Sequence, residues 1–379
     1  MKKYLAWILI LTLCLTAFSG CGAGDAGTSA DANGDPSAFN YDAIPDTMEA
    51  DSYELAFVAD LGQLKDKSFN QGTWDGLKRY ASENGKTYKY YQPANGDQAT
   101  DNDRYETMKL AVKNGAKLVV SCGFLQQTAI QKTAAEFPDV SFVIIDGWPM
   151  DLPNLVAIDF REEQSGFLAG YAAVKEGYTR LGFSGGGGGK TPACCRFGYG
   201  YLQGAETAAK EMGIDSIPVN FSWEYGASFA PSAELQTMLN GWYSSGTEVV
   251  FMCGGAMCKS GFAAAAANDG LVIGVDVDQS GESDTVLTSA TKGLQEAVME
   301  ACHMYYSGNW DQNASQRLTL GVSEDAVGLP TQTWSMENFT LEQYMELYEK
   351  IAAGEITVDR DYEKGLKQES FSIVELNMI

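Results

Sequence analysis

Asp276 and Asp278 stand two residues apart at the end of an apolar run, and the chain holds a single histidine, His303. Side chains two apart on an extended segment point to the same side, so this carboxylate pair could share acid/base work of the glycosidase kind. Carboxylates so close in sequence more commonly bind hydroxyls or stabilise turns, and nothing else in the chain supports hydrolysis. A Ser-His-Asp triad or a multi-histidine metal site would depend on His303 alone, and it sits late in a helical stretch where packing is its ordinary role. The run Gly185–Gly189, Lys190, Thr191 invites a phosphate-loop reading. That motif needs a glycine where Ser184 stands, and Pro192, Cys194 and Cys195 interrupt the expected helix start, so a flexible glycine loop at a lobe edge is the better reading. Binding, rather than catalysis, is the chemistry these residues support, and they imply neither cofactor nor metal.

The elements that must position such residues alternate. Short apolar runs occupy 54–60, 117–122, 140–146, 154–160, 179–184, 217–222, 247–252 and 271–276, each bounded by turn residues. They look like strands buried on both faces of a parallel sheet. Helical patterns fill 69–83, 103–114, 126–136, 162–176, 198–212, 230–243 and 291–306. Repeated strand–helix order predicts an α/β fold with two doubly wound parallel-sheet lobes. Ligands in such sheets bind beyond the carboxyl ends of strands. That rule selects Asp60, Gly123, Phe124, Asp146, Gly254, Gly255 and Asp276, although Asp and Gly also suit the turns after strands for conformational reasons.

The first residues address the chain. Lys2 and Lys3 precede an apolar run from Tyr4 to Phe18, the small pair Ser19–Gly20 and then Cys21. This order describes a secretory signal over 1–20 with Cys21 as the lipidation site. The apolar run is short for a transmembrane helix, which needs about 20 residues. Residues 21–51, rich in Gly, Ala, Ser, Asp and Asn, predict a flexible acidic linker. The expected setting is extracytoplasmic, lipid-anchored to the cell membrane, and the long linker suits a Gram-positive surface.

A formal net charge of -24 argues against a nucleic-acid partner. The ~325 residues beyond the linker suffice for two lobes at ~100–200 residues per domain. Cys122, Cys194, Cys195, Cys253, Cys258 and Cys302 follow no metal or redox spacing. Most should be buried thiols, with one disulfide left open by the exported setting.

The segment DLGQLKDKSFNQGTWDG (60–76) is similar to the opening motif of the basic membrane protein family, which includes purine-nucleoside receptor lipoproteins. SCGF (121–124), FPDVSFVIID (137–146), FREEQSGFLAGYAA (160–173), FGYGYLQGA (197–205), IGVDVDQ (273–279) and TSATKGLQEAV (288–298) continue the likeness in family order. The resemblance implies a type I periplasmic-binding-protein fold, with two lobes, three crossings and a cleft. The lobes are expected at 52–158 plus 271–325 and at 159–270 plus 326–379. It further implies capture of a nucleoside and its delivery to an ABC-type permease; separately, the chain is expected to act as a monomer. Phe69, beside Asn70 in the KSFN block, would stack on a purine-like ring. Phe229 would be the second stacking residue, with Trp223 or Tyr225 as substitutes. Asp60 and Asp146 would accept from ring N–H groups, Asp276 and Lys292 would hold ribose hydroxyls, and the Gly255 backbone would pack on the sugar. Riboflavin or a free nucleobase as ligand, and a sensing role, stand as alternatives, as do a secreted hydrolase and a structural surface antigen.

Overall fold

The computed structural model describes residues 39–379. The signal segment, Cys21 and the linker as far as residue 38 lie outside the described residues. Among the described residues no helix is long and apolar enough to cross a membrane.

The first sheet uses β1 (Leu55–Val58), β2 (Tyr88–Tyr91), β3 (Leu118–Cys122), β4 (Ser141–Ile145) and β5 (Leu155–Phe160). The second takes β6 (Leu181–Gly185), β7 (Ile217–Ser222), β8 (Val249–Cys253), β9 (Leu271–Asp276) and β10 (Val286–Lys292). After these, β11 (Arg317–Leu320) returns to the first sheet, whereas β12 (Val327–Gly328) and β13 (Val374–Met378) extend the second. The orders are β11-β5-β4-β3-β1-β2 and β12-β10-β9-β8-β6-β7-β13. Every pairing is parallel except β10 with β12. Central strands such as β3, β4 and β8 are buried throughout, as a parallel sheet covered on both faces requires.

The main helices are α1 (Phe69–Glu83), α2 (Asp101–Lys113), α3 (Gln127–Glu136), α4 (Glu162–Glu176), α5 (Pro192–Met212), α6 (Ala233–Ser244), α7 (Cys258–Ala267) and α8 (Leu294–Tyr306). Three shorter or later helices complete the set: α9 (Trp310–Asn313), α10 (Leu341–Ala352) and α11 (Tyr362–Gly365). The sequence places the start of α5 six residues too late. Pro192 occupies its first turn, where a missing N–H costs nothing and the fixed φ helps.

The chain passes between the two sheets three times, at 160–162, 292–294 and 320–327. The division expected from the sequence, with 271–325 in the first lobe, does not hold for the strands. β9 and β10 pair inside the second sheet; only the chain from α8 to β11 joins the first. A Cβ on Gly76 of α1 would stand 2.6 Å from the Gln295 carbonyl oxygen, so α8 lies directly on α1.

In the second lobe, α4 and α5 approach more closely still. A Cβ on Gly166 would sit 2.2 Å from the Phe197 carbonyl oxygen, and one on Gly170 2.0 Å from that of Tyr201. From the other side, Gly200 and Gly204 would meet the carbonyl oxygens of Glu163 and Phe167 at 2.0 Å. Two glycine pairs at i, i+4 thus put backbone on backbone, a contact no side chain can replace.

The linker ends earlier than its composition suggests. Ile44 is buried. Asp46 accepts from Trp74 Nε1 at 3.1 Å and Lys78 Nζ at 2.8 Å, and lies 2.6 Å from Lys65 Nζ. Burial alone would raise the Asp46 pKa, but these donors hold it down at about 2. The stretch from Tyr41 to Met48 is therefore part of the first lobe.

Candidate ligand-binding cleft

One cavity lies where the carboxyl ends of the two sheets face each other, the place where α/β folds of this kind hold a small organic ligand. Eleven residues that the sequence offers for ligand contact line it: Asp60, Phe69, Asn70, Gly123, Phe124 and Asp146 from the first lobe, and Phe229, Gly254, Gly255, Asp276 and Lys292 from the second.

Their placement is set by the strand ends. Asp60 lies just past β1, and its Oδ1 is buried with no hydrogen-bond partner. Gly123 lets it sit there. Its φ is +89°, and a Cβ would fall 1.9 Å from Asp60 Oδ2. Burial pushes the Asp60 carboxyl up to about 7. Asp146, directly after β4, and Asp276, ending β9, adopt φ of +56° and +69°. Asp tolerates this left-handed region better than most residues, and such conformations concentrate at functional sites.

Lys292 belongs to β10, not to the helix expected over 291–306. Its Nζ donates to Asp146 Oδ2 at 2.5 Å and lies 3.4 Å from Asp276 Oδ1. The ammonium also stands 4.5 Å from the centre of the Phe69 ring, with Phe160 and Phe197 at 5.6 and 5.7 Å. Burial would lower the Lys292 pKa, but the Asp146, Asp276 and Glu162 carboxylates outweigh it and hold it above the usual value. Burial conversely raises Asp146 to about 7 against the pull of Lys292. Lys292 therefore keeps its proton, whereas Asp146, whose Oδ1 is buried without a partner, remains easy to protonate.

Asn70 lines the cavity with its amide already engaged. Its Oδ1 accepts from the Asp60 N–H at 2.9 Å, and its Nδ2 donates to the Leu61 carbonyl at 2.9 Å and to Asp66 at 3.2 Å. It positions the Asp60 loop. Asp66, which the sequence alone does not single out, accepts from the backbone N–H groups of Ser68, Asn70 and Gln71 at 2.9–3.1 Å. It satisfies the open end of α1, because the Ser68 hydroxyl is given instead to Asp276. Burial raises Asp66 to about 6 in spite of these donors. An acid two residues ahead of a helix-start Ser was the available signal.

Phe229 holds φ of +57°, a strained conformation for an aromatic residue. Its ring lies where a Cβ on Gly186 would be, 2.3 Å from Cε1. The glycine run is thus a seat for Phe229, not a loose edge and not a phosphate cradle. Trp223 packs behind it, 5.3 Å from both Phe183 and Phe221, and Tyr225 is 48% exposed. Neither lines the cavity. Gly255, at φ +51°, faces Phe229 and Asp66, both just under 4 Å from where its Cβ would be.

Arg196 and Trp148 are further lining residues that the strand-end selection leaves out. Arg196 sits in the stretch that the helical pattern does not assign to α5, and its Nε meets Glu162 Oε2 at 2.5 Å. Trp148 stands two residues past Asp146, within reach of the strand-end rule. His303 packs edge-on against Tyr80, 4.9 Å between centroids, away from this cavity. The six described cysteines are free and buried, and among the described residues no cluster could hold a metal ion.

The arrangement offers flat aromatic surface, carboxylate acceptors and one neutralised ammonium, without a nucleophile and its base. The sequence model of the Bmp family, described as ABC transporter substrate-binding protein PnrA-like, matches residues 53–361. An ABC transporter nucleoside-binding protein BmpA of Lactococcus lactis subsp. cremoris is 33% identical over 239 residues, 60% of this chain and 64% of that one. The match therefore spans somewhat less than two thirds of that relative. Basic membrane protein B of Borreliella burgdorferi is 30% identical over 322 residues, covering 81% of this chain and 89% of the relative. A solved ABC solute-binding protein from Aeropyrum pernix K1 shares the fold at TM-score 0.70 and 23% identity, covering 83% and 96% of the two chains. The chain accordingly belongs to the Bmp family of PnrA-like ABC transporter substrate-binding proteins, a family of binders and not of enzymes.

Proposed function

We propose that this protein captures a nucleoside, a purine nucleoside in preference, and delivers it to an ABC-type permease as a monomer held to the outer face of the cell membrane by lipid on Cys21. The observation that carries the ligand class is the pair of unpartnered buried oxygens, Asp60 Oδ1 and Asp146 Oδ1, in a cavity that also presents Phe69 and Phe229. A buried acceptor without a donor is costly, and ring N–H groups between two aromatic residues would supply what is missing. Asp276 and Lys292 suit sugar hydroxyls, since charge-assisted hydrogen bonds are the strong kind. The name of the Lactococcus relative supports the same class. Closure about the three crossings would complete the contacts, a ligand stabilising the state in which it touches both lobes.

A thermal-shift and calorimetry panel of purine and pyrimidine nucleosides, free bases, riboflavin, sugars and amino acids tests the reading. A native-state ligand must raise stability, so no shift with any nucleoside in large excess sinks it. A shift with riboflavin or a base alone would move the assignment to that flat ring.

A further inference from the structure

Trp148 is 41% exposed and yet lines the cavity. Three features fix it there. Gly147 is hemmed by Ile144, whose side-chain carbons lie 2.5–2.8 Å from where a Cβ would be. The turn that carries the chain out of Asp146 therefore has to be glycine, and residue 148 comes next at the rim. The Gln127 side chain then clamps the Trp148 backbone from both sides: Oε1 accepts its N–H at 2.8 Å and Nε2 donates to its carbonyl at 3.0 Å. Phe124 meets the indole edge-on, with centroids 6.4 Å apart at 89°. An indole held this firmly, half in water and half in the cavity, has apolar area to give to whatever fills the space next to Asp146.

We propose that Trp148 is a specificity-determining residue: an aromatic shelf at the cavity mouth that packs on the part of the ligand ring extending beyond the group held by Asp146. This rests on the nucleoside reading above and deepens it. A two-ring base reaches further from Asp146 than a one-ring base, so the shelf favours purine over pyrimidine nucleosides. The indole adds contact area without asking the ligand for a hydrogen bond, and aromatic stacking tolerates variation in the ring's substituents.

The test compares wild type, Trp148→Ala and Trp148→Phe by calorimetry with inosine and uridine. Trp148→Ala should weaken inosine about tenfold and uridine less than twofold, and Trp148→Phe should stay within about threefold of wild type for both, because a benzene ring keeps most of the stacking surface. Saturating inosine should alter the tryptophan emission of wild type more than that of Trp148→Phe, a readout a merely structural role would not move. Equal losses for both nucleosides, or none, overturn the proposal. So does unchanged binding joined to lost uptake, which would make Trp148 a permease contact. Failure of wild type to bind any nucleoside sinks the ligand reading instead, and the variants are then scored on whichever flat-ring compound of the panel does bind, where Trp148→Ala must still weaken it.

Discussion

Lys292 Nζ lies 2.5 Å from Asp146 Oδ2, joining the end of a strand in the second sheet to the turn after a strand in the first. Asp276, from the neighbouring strand of the second sheet, stands 3.4 Å from the same ammonium. One cation thus ties the two lobes at the floor of the cleft and offsets part of the charge of the aspartates that line it. Replacing Lys292 by Met keeps the volume and removes the charge. Two buried carboxylates then face each other uncompensated, which should cost about 3–5 kcal/mol. Urea denaturation reads the loss, and a larger radius of gyration in small-angle scattering would report that the tie also favours the closed arrangement.

Phe69→Ala should weaken a bound nucleoside by about 1–3 kcal/mol, the worth of one base–aromatic stack. The Lys292 ammonium already takes one face of the ring, so the variant also frees that cation. Calorimetry at two pH values separates the effects: a lost stack changes affinity equally at both. Unchanged affinity would return Phe69 to a packing role.

Affinity should rise between pH 6 and 8. Burial raises Asp60 and Asp146 to about 7, and each accepts a ligand N–H more strongly as the carboxylate than as the acid, so binding releases protons. The ligand-free protein should behave in the opposite sense. Asp60, Asp66, Asp146 and Glu163 all have folded values, about 6 to 7, above those of the unfolded chain. Their contribution is complete below about pH 4 and is lost as pH rises through 6 to 7, at roughly 1.4 kcal/mol per pKa unit per group. Melting curves of the unliganded protein from pH 5 to 8 should show a falling midpoint. A rising midpoint would mean that these carboxylates are better solvated than their burial implies.

Asp46→Ala should destabilise the first lobe by about 1–3 kcal/mol, since it strips a partner from the buried Lys78 and from the Trp74 indole. A chain beginning at residue 53 should lose at least as much. If either is as stable as the full chain in denaturant, residues 40–51 belong to the linker after all.

The strand-end rule, applied to the sequence, names residues that share one cavity because a parallel sheet aligns all its carboxyl ends; Asp60, Asp146 and Asp276 are legible for that reason. The features that the sequence hides depend on contacts distant along the chain. Residues 286–292, VLTSATK, run into a helical pattern and mix polar with apolar types, so β10 is masked and Lys292 reads as helical. Without β10 the division of the chain between lobes goes astray as well. Residues 40–51 look like linker by composition, and only Lys78 and Trp74, some thirty positions later, make Asp46 part of the fold. Trp148 obeys the same rule as Asp146, but an exposed aromatic after a strand carries no charge to set it apart.

The backbone contact between α4 and α5 has a mechanical side. α4 begins at the first crossing, and α5 brings Arg196 and Phe197 to the cavity wall. Helices separated by leucines can slide and re-pack; helices meeting through glycines have no such play. Any turn made at residues 160–162 therefore reaches the cleft wall undiminished, as through a solid shaft. Gly200→Ala, which would drive a methyl group to 2.0 Å from the Glu163 oxygen, should cost about 1–3 kcal/mol as overpacking. It should also loosen ligand binding from the far side of the helix, because the shaft would have been bent and not because anything at the site had changed.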